Sequence, residues 1–456
     1  MIKNTNSQFS EQLERIRHKL EIARKSDPRF LVFGADWHRY RLAPPVAEEA
    51  LKALEEKHQI ELPADFRAFV TNIGDGLNDP KWPDHGGAGP YYGIIDVKTM
   101  LSHTDATAAP MFAPDIADQA WAEIQQKVDD GEIRVGEVIR GSALLASQGC
   151  SYCSLLILQG PDKGRIVNFD DEGTKPRFAF EKNFLDWYER WLDEVIAGYL
   201  SKSAASWFGM TMGGDDNALL ELFDRADDTN IRKDALTGFF KLVSLSTSSI
   251  SRLSEIASSQ EGQIRELAVR ILLKFKPETA RPFLVELLKD VETDLSLLCL
   301  FIPKSADYLV PEIEAELIYR LKNCNDHDVF FRIVALLAES GVDIGLALVP
   351  FFSHANSDFR RTIIWALGKL EYRHRFVPTF VAALRDQSAE VVLQALQSTR
   401  RLYHSALIAE FSGIRRRCES EPGWDRDGYV LTNLKIRESE TARAPHRWFQ
   451  FRNNGQ

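Results

Sequence analysis

Residues 149–173 read GCSYCSLLILQGPDKGRIVNFDDEG. Two apolar runs, Ser154–Leu158 and Arg165–Phe169, flank GPDKG at 160–164, a turn rich in glycine and proline. Strand-length apolar segments on either side of residues that adopt turn conformations at low cost are the signature of a β-hairpin. An antiparallel sheet is therefore expected in this half of the chain. Tyr92–Val97 and Ile133–Ile139 read as further strands.

Helical signals surround the hairpin. Phe9, Leu13, Ile16, Leu20 and Ala23 fall at steps of 4, 3, 4 and 3, one face of a helix. A second helix is expected behind Pro44 and Pro45, with Pro45 in its first turn and Val46, Ala50 and Leu54 on its apolar side. A third follows Pro63, with Phe66, Phe69, Val70 and Ile73 as its stripe and Gly74 as its C-terminal cap. FEKNFLDWYERWLDEVIAGYL (180–200) repeats the pattern at Phe184, Tyr188, Trp191 and Val195. Residues 1–198 thus read as an α+β domain, a small and mainly antiparallel sheet covered by helices.

Residues 199–216 are rich in serine and glycine and lose all periodicity, which reads as a linker. From 217 to 420 the helical patterns come in pairs. IRELAVRILLKFKPETARPFLVELLKD (264–290) can be laid over FRRTIIWALGKLEYRHRFVPTFVAALRD (359–386), each with an arginine-marked helix, a break, a proline and a second apolar helix. A weaker unit covers 294–320 and a clearer one 330–352. Self-similarity of paired helices predicts an all-α solenoid, because each pair needs its neighbours to bury its apolar face. Residues 421–456, with Trp424, Trp448 and Phe449, read as a C-terminal cap or tail.

The 456 residues carry 56 basic and 66 acidic side chains, a net charge of −10. Gripping DNA or RNA through phosphates requires a concentrated basic face, so a nucleic-acid partner is not expected; a basic protein partner suits the chain better. The first twenty residues hold no apolar core with a small-residue cleavage site, and no uncharged apolar run reaches membrane-spanning length. Five scattered cysteines (150, 153, 299, 324 and 418) suit a reduced chain rather than a disulfide scaffold. A cytoplasmic location without a membrane partner is the expectation.

HGGAGPYYGI (85–94) resembles a phosphate cradle, but its glycines precede a strand instead of opening a helix. It reads as a turn in which glycines permit positive φ and Pro90 stiffens the approach. Cys150 and Cys153 lack the second ligand pair that zinc requires, and read as two buried small residues of a sheet. Asp170, Asp171 and Glu172 read as a solvated turn, Asp65 and Asp75 as polar residues at helix ends. Arg265, Arg360 and Arg361 could line a solenoid groove or bond within the ladder, and the triplet Arg415–Arg417 offers only weak non-specific attraction. No catalytic residue, cofactor site or metal site is assigned.

Several of these stretches occur together, and in one order, in a known family. FGADWHRYRLAPP (33–45), IELPADFRAFVTNIGDG (60–76), GAGPYYGIIDV (87–97), GCSYCSLLILQGPDKGRIVNFDDEG and FLDWYERWLDEVIAG (184–198) resemble the SUKH superfamily, shared by fungal cell-wall-synthesis regulators and bacterial immunity proteins. The helical part is similar to HEAT repeats, most clearly at SDFRRTIIWALGKL (357–370). The resemblance implies a non-enzymatic protein-interaction protein, an immunity protein that binds and neutralises a cognate toxin, for instance a basic nuclease. The alternatives are a regulatory scaffold gathering cellular partners, and an accessory factor or lyase-like enzyme working through the HEAT-like groove. Because such domains bind through variable surfaces, no family residue transfers as a site. The partner-binding candidates are Trp82 and Asp84, in the long loop LNDPKWPDHG (77–86), and Trp207, in the linker stretch; all three lie outside any helical stripe.

Overall fold

The computed structural model describes residues 5–78, 81–82, 85–202, 207–290, 292–305, 307–421 and 423–443. They form two compact units, Met1–Ser249 and Ile250–Gln456. The stretch expected as a linker lies inside the first unit, so the division falls later than the loss of periodicity suggests.

The first unit is built on four antiparallel strands in sequential order, β1 (Ser142–Gly149), β2 (Tyr152–Ile157), β3 (Ile166–Asp170) and β4 (Arg177–Phe178). GPDKG joins β2 to β3 as expected, with Gly160 at φ 88° and Gly164 at φ 92°. Alternate residues serve opposite faces of the sheet. Leu156 and Ile166 join one core with helices α1 (Thr5–Ser26), α2 (Glu48–His58), α3 (Ala64–Asn72) and α4 (Phe184–Ile196). Leu155, Ile157, Val167 and Phe169 join a smaller core with Phe112, Trp121 and Val138. Burial on both faces explains why the strands read as near-continuous apolar runs.

Several expectations change. Ile133–Ile139 is no strand: Val135–Val138 makes a helical turn, with Glu137 reaching back to the backbone N–H of Arg134 at 2.9 Å. Within Tyr92–Val97 only isolated bridges form, Ile94 opposite both Gly87 and Ala146 and Ile95 opposite Leu77, before a helix starts at Val97. β1 was not anticipated. In α2 Pro45 stays outside the helix, which starts at Glu48, and Leu51 is buried while Ala50 is exposed. Gly74 does not take a left-handed cap conformation. A Cβ there would lie 2.6 Å from the Ala43 carbonyl, so the residue permits close passage beside the Ala43–Asp75 bridge. Cys150 is exposed in the β1–β2 turn at φ 51°, leaving only Cys153 packed on the sheet.

Asp65 and Asp75 do more than end a helix. Asp65 accepts from the Phe184 and Leu185 N–H groups at 2.7 and 3.1 Å, capping α4 from a distant part of the chain. Asp75 accepts from Gly76 and Val97 at 2.8 and 2.9 Å.

Among the described residues the second unit is helical. In it α5 (Gly262–Phe275) packs on α6 (Pro277–Lys289), and α6 on α7 (Pro311–Lys322). Beyond them α8 (His327–Glu339), α9 (Ser357–Lys369), α10 (Ala389–Ser398) and α11 (Tyr429–Ala442) stack each on the next, a solenoid-like layer. The weak unit at 294–320 owes its character to a four-residue helix, Leu295–Leu298, standing where a full one would begin. Arg360 forks onto Asp386 at 2.8 Å and also reaches the His354 and Ala355 carbonyls. Arg265 pairs with Glu286, and Arg361 with Asp358 at 3.0 Å. All three arginines bond within the ladder. In the C-terminal stretch α11 buries Val430, Leu434 and Arg437, and Trp424 donates to the Gln387 carbonyl at 2.7 Å. Trp448 and Phe449 lie outside the described residues. No helix among the described residues is long and apolar enough to cross a membrane.

Candidate partner-binding surface

A glycine creates the surface. Gly34 sits at φ 78°, and a Cβ on it would lie 1.8 Å from the Tyr91 carbonyl oxygen. Only glycine lets the 33–35 backbone cross Tyr91 this closely. The crossing sets the Phe33 ring against Tyr92, with centroids 4.9 Å apart. On the other side, Gly86 donates to the Tyr92 carbonyl at 2.8 Å, and Gly87 exchanges two backbone hydrogen bonds with Ile94. A Cβ on Gly86 would meet the Ile94 carbonyl oxygen at 2.2 Å. HGGAGPYYGI is thus a tight backbone pairing. Its glycines at 86, 87 and 89 serve close approach rather than the positive φ that the sequence suggested, which falls at Tyr91 and Gly93.

That pairing brings His85 beside Tyr92, with rings 4.6 Å apart. Trp37 covers His85 at 4.2 Å, and Trp82 meets the edge of Trp37 at 5.8 Å. At the opposite end Trp207 packs 5.4 Å from Phe33 and 5.3 Å from Tyr91. The result is a continuous ridge, Trp82–Trp37–His85–Tyr92–Phe33–Trp207. Trp82, Phe33 and Trp207 remain 45%, 44% and 44% exposed, while Trp37, His85 and Tyr92 between them are half-buried, so the ridge meets solvent mainly towards its two ends. A cleft of about 570 Å³ beside it is lined by Asp36, Trp37, Arg39, Arg41, Leu77, Asn78 and His85.

Two of the three sequence candidates therefore end on one surface, at its opposite ends. Asp84 lies outside the described residues. Phe33, Trp37, His85 and Tyr92 were missed, because they sit in loops or, for Trp37, in the four-residue helix Ala35–His38, where periodicity carries no signal. The density of rings in FGADWHRYR was the available clue.

A concavity of about 1020 Å³ in the first unit is rich in carboxylates. Most of them already have cationic or polar partners. Glu189 accepts from Arg15, Lys19 and Gln12, Asp193 from Lys19, and Arg190 bridges Glu181 and Glu194 at 2.8 and 2.9 Å. Burial pushes the thiols of Cys153 and Cys299 up to about 12, away from the thiolate that a nucleophile or metal ligand must present. Among the described residues no group of three or more His, Cys, Asp or Glu side chains is placed to hold a metal ion.

No curated protein matches the chain closely enough to count as a relative. Residues 45–190 match the model of the SMI1 / KNR4 family (SUKH-1), so the α+β part of this chain carries a domain of that family.

Proposed function

We propose that the chain is a protein-binding protein of the immunity type, which docks a cognate toxin on the aromatic ridge of its first unit and blocks it by coverage. The carrying observation is the unbroken run of six rings from Trp82 to Trp207, exposed at Trp82, Phe33 and Trp207 and half-buried between them. Contiguous apolar surface left in water marks interaction sites, and rigid aromatic side chains are the usual anchors of protein interfaces. A family-level role in protein interaction agrees with this. The net charge of −10 favours a basic partner such as a nuclease toxin, through long-range steering.

The regulatory-scaffold reading draws on the second unit. Phe331 is 41% exposed and packs on Trp365 at 5.7 Å, joining the two stacked helices α8 and α9, so the ladder also presents an aromatic surface. An experiment separates the two readings. Proteins retained by the chain from its own cell lysate are expressed singly. The immunity reading expects one of them to arrest growth, and co-expressed wild-type chain, but not a Trp82→Ala/Phe33→Ala variant, to restore it. Several retained proteins without toxicity, all lost when Phe331 and Trp365 are replaced, would favour the scaffold.

A further inference from the structure

Residues 207–212, Trp-Phe-Gly-Met-Thr-Met, are held in an unusual way. Within the first unit their backbone carbonyls are read by side chains. Tyr91 Oη donates to the Phe208 carbonyl, Arg190 Nη2 to that of Thr211, and Lys241 Nζ to that of Met212. The hydrogen bonds found for this backbone among the described residues include one internal turn, Met210 N–H to the Trp207 carbonyl at 3.5 Å, and no ladder to the sheet. Phe208 is the anchor: it is 4% exposed, edge-on to Trp187 at 5.6 Å, with the Arg190 guanidinium 5.3 Å above its ring. Trp207 Nε1 donates to Gln148 Oε1 at 3.2 Å.

Beneath the strap lies a row of polar side chains across three strands. Gln148, Ser154 and Asn168 are all buried, and Gln148 Nε2 donates to Ser154 Oγ at 3.0 Å and Asn168 Oδ1 at 2.6 Å. Asn168 Nδ2 has no hydrogen-bond partner among the described residues, although the residue is only 5% exposed. A Cβ on Gly209 would lie 3.7 Å from that nitrogen, so the amide points at the strap. A segment belonging to the fold would normally satisfy its backbone through the sheet and cover apolar residues. Here two buried cations and a tyrosine read carbonyls without regard to side-chain identity, one aromatic fills a pocket, and a spare amide donor waits underneath. Those are elements by which proteins hold short peptides.

We propose that this groove is a peptide-binding site and that residues 207–212 are its resident ligand, held in cis. The ligand class is a short segment with an aromatic anchor followed by a glycine that turns the chain, as Gly209 does at φ 76°. This holds whatever docks on the ridge.

The test uses the full chain and a fluorescein-labelled peptide, WFGMTMGG, copying residues 207–214. In a Trp207→Ser/Phe208→Ser variant the tether is weakened and the groove residues are untouched. The variant is expected to bind the peptide saturably in fluorescence anisotropy, at least tenfold more tightly than wild type, whose groove is filled. A peptide with serine in place of the phenylalanine is expected not to bind. A folded variant that binds no better than wild type overturns the proposal. Hydrogen exchange on the wild-type chain decides the matter if the variant does not fold. A resident ligand opens locally, so amides of 207–212 should exchange at least a hundredfold faster than those of β3; equal protection of the two segments overturns the proposal.

Discussion

Asp65 Oδ2 lies 2.7 Å from the backbone nitrogen of Phe184, 119 residues further along the chain. One carboxylate at the start of α3 thus caps the start of α4, and the two helices that carry most of the aromatic core are fixed end to end. Removing a buried acceptor strands both N–H groups, which costs about 2 kcal/mol for charge-assisted bonds. Asp65→Ala should lower the urea midpoint of the first unit accordingly. Asp65→Asn, which keeps an acceptor oxygen, should recover part of the loss.

Two buried groups, His38 and Asp75, pull acid stability in opposite directions. His38 is fully buried, and desolvation lowers its pKa from 6.5 to about 4. Its contribution is complete above pH 6.5 and is lost as pH falls toward 4, because only the unfolded chain takes up the proton. Burial raises Asp75 from 3.8 to about 6, so its contribution is complete below 3.8 and disappears as pH rises through 6. Between pH 4 and 6.5 the two contributions have slopes of opposite sign. Asp75→Asn should therefore make the acid loss steeper than in wild type, and His38→Gln should make it shallower, as read from urea midpoints across that range.

The ridge exists only because Gly34 has no side chain. Gly34→Ala forces a Cβ to 1.8 Å from the Tyr91 carbonyl oxygen at a φ of 78°. A backbone shift there costs well over about 2 kcal/mol. The expected result is a first unit that loses its near-ultraviolet aromatic circular dichroism at 25 °C. Gly131→Ala, at φ 73° but with open space around the new methyl, should cost only about 1 kcal/mol.

In the second unit the bidentate Arg360–Asp386 pair, with two carbonyls on the same guanidinium, ties α9 to the loop after Val377–Leu384. Arg360→Lys cannot reproduce the fork and should destabilise the ladder nearly as much as Arg360→Ala, by about 2 kcal/mol. Thermal unfolding of the helical signal measures both.

Periodicity made the helices legible. The stripes at Leu13, Ile16 and Ala23, and at Phe184, Tyr188, Trp191 and Val195, are buried as spaced, because a helix facing a core must repeat its apolar residues every 3.6 positions. The hairpin around GPDKG was legible for a similar local reason. Ile133–Ile139 misled, since Ile133 and Val135 alternate like a strand while Glu137 closes a helical turn. Ridge and strap lay beyond such reasoning. Their residues come from three separate stretches of chain, 33–37, 82–92 and 207–212, and what joins them is backbone crossing at Gly34 and Gly86, which leaves no period in the sequence. Trp82 and Trp207 could be singled out for lying outside every stripe; that they terminate one surface could not be read from either.

The central claim is that the ridge holds the partner, and one measurement tests it most directly. Wild-type chain and a Trp82→Ala/Phe33→Ala variant, both exposed-residue changes that leave the cores intact, serve as parallel baits in the same lysate, with retained proteins quantified by mass spectrometry. The account predicts one protein retained in stoichiometric amount by wild type and reduced at least thirtyfold on the variant, the loss expected when aromatic anchors worth about 2 kcal/mol are removed. Equal retention by the two baits would contradict it.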